Sequence, residues 1–166
     1  MDKRFTKIKY DGSKVRLEYE VVREAGDPDE FTLFCADPPA REFAEAIAAL
    51  ADDVIAICEL SPSDVTKVRV RGVTLTYSHD VLGACITALK TLKTADAPLV
   101  INTPHLPEVP YSEGNDAAPT LAGGTVARLH ALIDQAERYL NGDRAQGSLL
   151  AELQPPTESV AEVMTM

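Results

Sequence analysis

The alternation of apolar and polar residues on both sides of Asp11-Gly12 constrains the fold of this chain more than any other feature. Residues 5–10 and 14–23 alternate, most clearly between Val15 and Val21, and this period is typical of strands with one buried face. Asp11 and Gly12 both tolerate positive φ, so we expect a tight hairpin between the two strands. A turn-rich segment then leads to a third apolar run over residues 31–35. The sequence therefore predicts a three-stranded antiparallel meander.

An amphipathic helix is predicted next, over residues 37–60. Its apolar residues repeat at spacings of three and four, as on one face of a helix: Phe43, Ala46, Ile47, Leu50, Val54 and Ile57. We expect Asp37 to cap the helix and Pro38-Pro39 to occupy its first turn. Asp52-Asp53 could divide it into two pieces.

Further strands are predicted between residues 67 and 101. Residues 67–71 and 73–77 alternate but change phase at Gly72, which indicates a bulge or a tight turn. Residues 84–92 fit a helix or a strand. We favour the strand, because it would give the apolar run 99–101 an antiparallel neighbour. Residues 126–140 then form a C-terminal helix that Asn141-Gly142 ends.

These elements define the predicted fold class as α+β, with an antiparallel sheet in β-β-β-α-β-β order and a C-terminal helix. The order is OB-like, as in folds whose sheets bind single strands, and it also fits other α+β meanders. We expect one domain over residues 1–146. Residues 147–166 contain two prolines and three acids, and they predict a flexible acidic tail.

Composition predicts a soluble cytoplasmic protein. The 166 residues include no Trp and only four Phe, so the core should be mainly aliphatic. No apolar run approaches the roughly 20 residues that span a bilayer, and the charged start lacks a secretory h-region. Cys35, Cys58 and Cys85 are odd in number and show no zinc spacing, which favours core thiols in a reducing compartment.

Charge is distributed unevenly along this acidic chain, whose net charge is −10. Residues 37–66 and 104–166 are acidic, whereas residues 67–103 are basic. The basic strip consists of Lys67, Arg69, Arg71, Lys90 and Lys93. Alternation places its first three members on one strand face, which is where a sheet would hold phosphates. The alternative is an ordinary solvated strand face.

Other residues could complete such a phosphate-binding face. Lys7 and Lys9 share a face of the first strand, and Arg16 could lie opposite them. Tyr10 and Tyr77 are the available platforms for base stacking.

The proline arm, residues 102–114, contains Pro104, Pro107 and Pro110. Proline removes backbone donors and fixes φ, so this segment cannot continue a helix or an inner strand. We predict a stiff arm that contacts a partner protein or another subunit. Its partner-binding residues would be His105, Leu106, Val109 and Tyr111.

No residue pattern predicts catalysis or a cofactor. His79, Asp80 and His105 could form a metal site only through tertiary convergence, because no metal-binding spacing occurs. Gly123-Gly124 could offer N–H groups to an anion, but a glycine pair is more typical of a loop. An acidic row could mimic a phosphate backbone or simply solvate a helix: Glu42, Glu45, Asp52, Asp53, Glu59 and Asp64. We therefore predict no catalytic residues, no bound metal and no cofactor.

Two segments carry a family resemblance. Asn102-Thr-Pro-His-Leu-Pro-Glu-Val-Pro-Tyr-Ser-Glu113 and Tyr139-Leu-Asn-Gly-Asp-Arg-Ala-Gln146 resemble proteins of bacteriophage and prophage early regions, where recombination and single-strand-binding genes often lie. The resemblance covers mainly residues 84–146. It implies a phage-encoded accessory protein of a bacterial host cytoplasm, and it assigns no residue a role.

The leading functional hypothesis is a non-enzymatic, phage-related protein that binds single-stranded DNA or RNA through the basic strip. One alternative is an acidic interaction protein or inhibitor directed at a host or phage protein. A third is a small metal-dependent enzyme built around His79 and His105. The chain could also form a homo-oligomer, and no membrane contact is expected.

Overall fold

A computed structural model describes residues 2–111, 114 and 117–145. Within them, seven strands form one antiparallel sheet: β1 (Lys3–Tyr10), β2 (Val15–Val21), β3 (Asp29–Cys35), β4 (Val68–Ser78), β5 (Val81–Lys90), β6 (Leu99–Asn102) and β7 (Leu106–Pro107). The α-helices of this part of the chain are α1 (Arg41–Ala48), α2 (Ala51–Ile57) and α3 (Gly123–Leu140). A 3₁₀ helix covers Pro62–Lys67.

The strand order is β3-β2-β1-β4-β5-β6, and β7 pairs with β5 on the same side as β6. The predictions of a meander and of an antiparallel α+β fold with a C-terminal helix are confirmed. The pairing of β1 to β5 is consistent with an OB-like arrangement. The sheet is open, because β3 and β5 are not paired among the described residues.

The hairpin between β1 and β2 is stabilised by its own side chain. The Asp11 carboxylate accepts the backbone N–H of Ser13 at 2.9 Å and that of Lys14 at 2.7 Å, and Gly12 adopts a φ of 94°. The backbone N–H of Lys14, followed by that of Ser13, lowers the pKa of Asp11 because both favour the carboxylate. Of the two turn residues Asp11 and Gly12, only Gly12 therefore adopts a positive φ.

One layer of helices covers one face of the sheet. Helix α1 contacts β4 and α3, α2 contacts β4 and β5, and α3 also contacts β1. The enclosed core is mainly aliphatic, as the composition predicts, and its largest members include Tyr139, Phe5, Phe43, Ile8, Leu17, Leu50 and Leu129. Phe43 contacts both Tyr10 and Tyr139, with ring centroids 6.0 and 5.7 Å away.

The predicted helix start was wrong. Helix α1 begins at Arg41 after the N-cap Ala40, without a side-chain cap. Pro39 instead bridges to Arg144 in an extended segment, and Ala145 N–H donates to the Pro38 carbonyl at 2.9 Å. Backbone pairing with the residues that follow α3 therefore takes the place of a first helical turn.

The division of this helical region is real, but it lies at Ala49-Leu50 between α1 and α2. Asp53 lies inside α2 and is buried. It accepts a hydrogen bond from Thr125 at 2.6 Å and two from Arg128 at 2.7 and 2.6 Å. Asp53 therefore joins α2 to α3 and does not belong to a solvated acidic row.

The strand prediction for residues 84–92 is confirmed, because β5 spans Val81–Lys90 and pairs with both β4 and β6. The phase change at Gly72 is a bulge, since the β4–β5 register shifts between Val70 and Gly72 and β4 continues through it. A Cβ at Gly72 would lie 2.6 Å from the Ile8 carbonyl oxygen. Close approach of β1 therefore requires glycine here.

The C-terminal helix is confirmed and starts earlier than predicted, since α3 includes Gly123 and Gly124 in its first turn. It ends before Asn141-Gly142, as predicted, and Gly142 has a φ of 105°. The predicted acidic tail, residues 147–166, lies outside the described residues. No helix in the described part of the chain is long and apolar enough to cross a membrane.

The bulge predicts a selective effect of alanine at Gly72. We expect Gly72→Ala to lower the free energy of unfolding by about 1–3 kcal/mol, because backbone must move to accommodate the methyl group. Gly123→Ala is the matched control, since its Cβ would meet nothing within 4 Å. Urea denaturation checks both variants, and equal midpoints would contradict the close approach at Gly72.

Replacing Arg128 should destabilise the protein more than replacing Asp53, its ion-pair partner. The reason is that the side chain of Asp53 is 4% exposed and that of Arg128 is 42% exposed. Arg128→Met leaves a buried carboxylate and should cost about 3 kcal/mol. Asp53→Asn leaves a guanidinium that water can reach, and should cost about 1 kcal/mol. Thermal or urea unfolding measures both, and small, equal losses would contradict the burial of the Asp53 carboxylate.

Candidate nucleic-acid interface

The sheet face opposite the helices forms a concavity of about 380 Å³, here called the basic concavity. Its lining comes from β1 to β5 and from the first hairpin: Lys9, Tyr10, Asp11, Lys14, Arg16, Phe34, Arg71, Gly72, Thr87 and Leu89. Phe34 and Leu89 line it from opposite sides, although four strand spacings separate β3 from β5. A flat sheet would hold such residues roughly 19 Å apart, so the sheet must curl toward this face.

Two bulges account for the curvature. The β1–β2 register shifts between Phe5 and Lys7, and the β4–β5 register shifts between Val70 and Gly72. Each bulge adds one residue to a strand, bends it and increases its twist. The bulge in β4 makes Arg71 the additional residue at the rim of the basic concavity.

Four cations and one acid line the basic concavity. Lys9, Lys14 and Arg71 form no ion pair with any described residue, whereas Arg16 contacts the Glu18 carboxylate at 2.9 Å. The one acid of the lining, Asp11, accepts two backbone N–H groups. These are the largest causes of its lowered pKa, and the charge of Arg71 is a smaller one. An otherwise acidic protein therefore concentrates unpaired positive charge on one concave face.

Phe34 supplies an aromatic surface beside these cations. It lies on β3, opposite Arg16 of β2, and the residue is 58% exposed. The Lys14 ammonium lies 5.5 Å from the centroid of its ring, within range of a cation–π interaction. A flat ring next to unpaired cations is the arrangement with which proteins stack a base and hold its phosphate.

The basic strip is not assembled on this face. Lys67 lies in the 3₁₀ helix, where its ammonium and that of Lys90 approach the Asp64 carboxylate at 3.5 and 3.2 Å. The hydrogen bond from Lys90 is the largest cause of the lowered pKa of Asp64. Lys93 is exposed in the segment after β5. These three lysines therefore lie apart from the basic concavity.

Arg69 and Arg71 do lie together. Both line a neighbouring cavity of about 230 Å³ between the first hairpin, α1 and the start of β4. Arg71 also lines the basic concavity, so it is the member of the strip that joins the predicted and observed clusters.

Of the four predicted partner-binding residues, two make contacts within the protein and two are exposed. His105 lies against Gly83, and its Nε2 is 2.7 Å from the Thr76 hydroxyl. Leu106 packs against the core, whereas Val109 and Tyr111 are exposed. Residues 106–108 of the proline arm lie along β5, because β7 pairs with β5 and Glu108 exchanges hydrogen bonds with Leu82 through its backbone N–H and its carboxylate, at 2.7 and 3.0 Å.

The histidine and acidic clusters are also separated. His79 and Asp80 occupy the turn between β4 and β5, where Asp80 accepts a hydrogen bond from Arg4 at 2.9 Å. Among the described residues, no group of three or more His, Cys, Asp or Glu side chains could hold a metal ion. In the acidic row, Asp53 is buried, and Glu45 contacts Arg41 at 3.0 Å.

Sequence reasoning did not single out Phe34 or Lys14, and of its two stacking platforms only Tyr10 lines the basic concavity. Tyr10 packs against Phe43, while Tyr77 is half-buried and donates to the Phe5 carbonyl at 3.1 Å. The alternation of inward-facing and outward-facing residues along β3 could have identified Phe34. Phe34 alternates with Leu33, so an aromatic residue lies on the polar face of the meander.

A scan against protein-family models and searches of curated proteins and solved structures find no match to this chain. The assignment of this interface therefore depends on its geometry and charge.

Proposed function

We propose that this chain is a phage-related accessory protein, without enzymatic activity, that binds single-stranded nucleic acid in the basic concavity inside a bacterial cell. The observation that carries the proposal is the combination of Lys9, Lys14 and Arg71, unpaired among the described residues, with the exposed ring of Phe34. The resemblance of residues 84–146 to phage early-region proteins supports the biological setting.

Phosphate attraction would supply most of the affinity. Each phosphate neutralised by Lys or Arg releases condensed counterions, so binding depends steeply on salt. The net charge of −10 repels a polyanion from most of the surface, and a local cluster of unpaired cations would direct the strand to the concave face.

Stacking on Phe34 favours a single strand over a duplex. A base must leave its own stack before it can lie on a side chain that projects from a sheet, and unpaired strands present such bases. Stacking on an aromatic residue contributes about 1–3 kcal/mol per base and tolerates any sequence. The proposed binding is therefore largely sequence-independent.

The acidic interaction-protein alternative has less support. Two members of its acidic row serve internal contacts, because Asp53 binds Arg128 and Asp64 binds Lys67 and Lys90. Interaction with another protein through Val109 and Tyr111 of the proline arm stays compatible with the proposal, because both side chains are exposed.

Fluorescence anisotropy with a labelled oligothymidylate tests the phosphate contacts. The triple variant Lys9→Ala, Lys14→Ala and Arg71→Ala should weaken binding and reduce the slope of log K against log salt by about 2. The control is Arg41→Ala, Lys93→Ala and Arg138→Ala, which removes the same charge from exposed positions elsewhere. No binding at low salt, or equal losses in both triples, would contradict the proposal.

Loss of the aromatic contact should change the affinity but not the salt dependence of binding, in contrast to the loss of cations. Phe34→Ala should weaken binding roughly 5- to 150-fold with an unchanged salt slope, because it removes stacking and no charge. Phe31→Ala is the matched control, since Phe31 lies on the other face of β3, stacked on Tyr19 with centroids 5.3 Å apart. An equal effect of the two variants in the same titration would exclude stacking on Phe34.

A further inference from the structure

The outer edge of β3 has no partner strand in residues 2–111, 114 and 117–145. Strand β3 is the terminal strand of the sheet and pairs with β2 on one side only among the described residues. It presents two large aromatic side chains on opposite faces, Phe31 at 45% and Phe34 at 58% exposed. An exposed strand of this length and apolarity is a template for pairing with another strand.

Hydrogen-bond alternation identifies the backbone groups that this edge offers. Asp11 N–H donates to the Lys14 carbonyl, so Lys14 and every second residue after it direct their backbone groups to β1. The intervening residues of β2, including Leu17 and Tyr19, therefore face β3 and pair with Leu33 and Phe31. The backbone groups of Glu30, Thr32 and Phe34 consequently point away from the sheet.

We infer that a second copy of this chain pairs with β3 in antiparallel orientation, about a two-fold axis at Thr32. This register places residues with outward backbone groups opposite one another, Thr32 facing Thr32 and Glu30 facing Phe34 of the other copy. An interface of this kind uses the same patch twice, as closed two-fold dimers do.

Side-chain chemistry supports the same register on both faces. On the concave face, Glu30 of one copy would lie beside Phe34 of the other, and the Lys14 ammonium of that copy is 5.5 Å from the centroid of the Phe34 ring. Opposite charges therefore meet, and symmetry makes the contact twice. On the helix-covered face, Phe31 would lie opposite Leu33, which gives two apolar cross-strand pairs.

Strand β6, at the other side of the sheet, is less suited to pairing. It has four residues and lies between Pro98 and Pro104, and short edge strands and proline both discourage strand addition. Strand β3 has seven residues and contains neither proline nor lysine. Its two acids, Asp29 and Glu30, lie at the end of the strand that would face the first hairpin of the second copy, which contains Lys14.

The dimer would align two basic concavities on one continuous face. Lys9 and Arg71 lie on β1 and β4, two and three strands from β3, so the seam leaves them open to phosphate. The dimer contact uses Phe34 and Lys14 of the basic concavity, whereas Thr32 is outside its lining. Substitution of Thr32 therefore tests the dimer separately from nucleic-acid binding.

Sedimentation equilibrium of the full chain without nucleic acid tests the dimer. We expect the mass to rise with concentration toward twice that of one chain. Thr32→Pro should give a monomer, because it removes an outward N–H that β2 does not use. Thr32→Ala retains that N–H and should remain dimeric. A monomeric native chain, or equal masses for the two variants, would overturn the inference.

A charge exchange provides a second test that does not alter the backbone. Glu30→Lys should weaken the dimer roughly tenfold through its two symmetric contacts, and adding Lys14→Glu should restore it. Absence of rescue would overturn the proposed register. A monomer whose Thr32 amide resists hydrogen exchange would overturn the dimer and assign the edge to another occupant, such as residues 146–166.

Discussion

Within the described part of the chain, the helices cover one face of the sheet and leave the other open, and the rest of the structure depends on this asymmetry. Burial of Phe5, Ile8, Val15 and Leu17 in the common core fixes the direction in which every other residue of β1 and β2 points. The alternate residues must then face solvent. Bulges in β1 and β4 curl this open face, so that residues from five strands line one concavity. Core packing therefore positions the candidate interface.

Sequence periodicity predicted the fold well where structure is local. The meander and the C-terminal helix follow from alternation, helical spacing and the glycines at Gly12 and Gly142. Periodicity left residues 84–92 ambiguous, and the strand was favoured there because residues 99–101 needed an antiparallel neighbour. The start of α1 was not predictable in this way. It depends on backbone pairing of Pro38 and Pro39 with Arg144 and Ala145, which are more than 100 residues away.

The candidate site was only partly predictable, for an electrostatic reason. Composition identified a basic region but not which of its cations are already paired. Asp64 contacts Lys67 and Lys90 through the tertiary fold, and this leaves Arg71 to join Lys9 and Lys14 from the first hairpin. Cross-strand register brings Phe34 beside Arg16 and Lys14. Pairings of this kind become visible only when strand order and register are known.

The most direct test of the account is backbone chemical-shift mapping by NMR during titration with an unlabelled single-stranded oligonucleotide. The account predicts that the largest shifts occur at Phe34, Arg71 and Thr87 on the concave face, with small changes along α3. Shifts concentrated around Lys67, Lys90 and Lys93, or along the proline arm, would contradict the assignment of the basic concavity as the nucleic-acid interface.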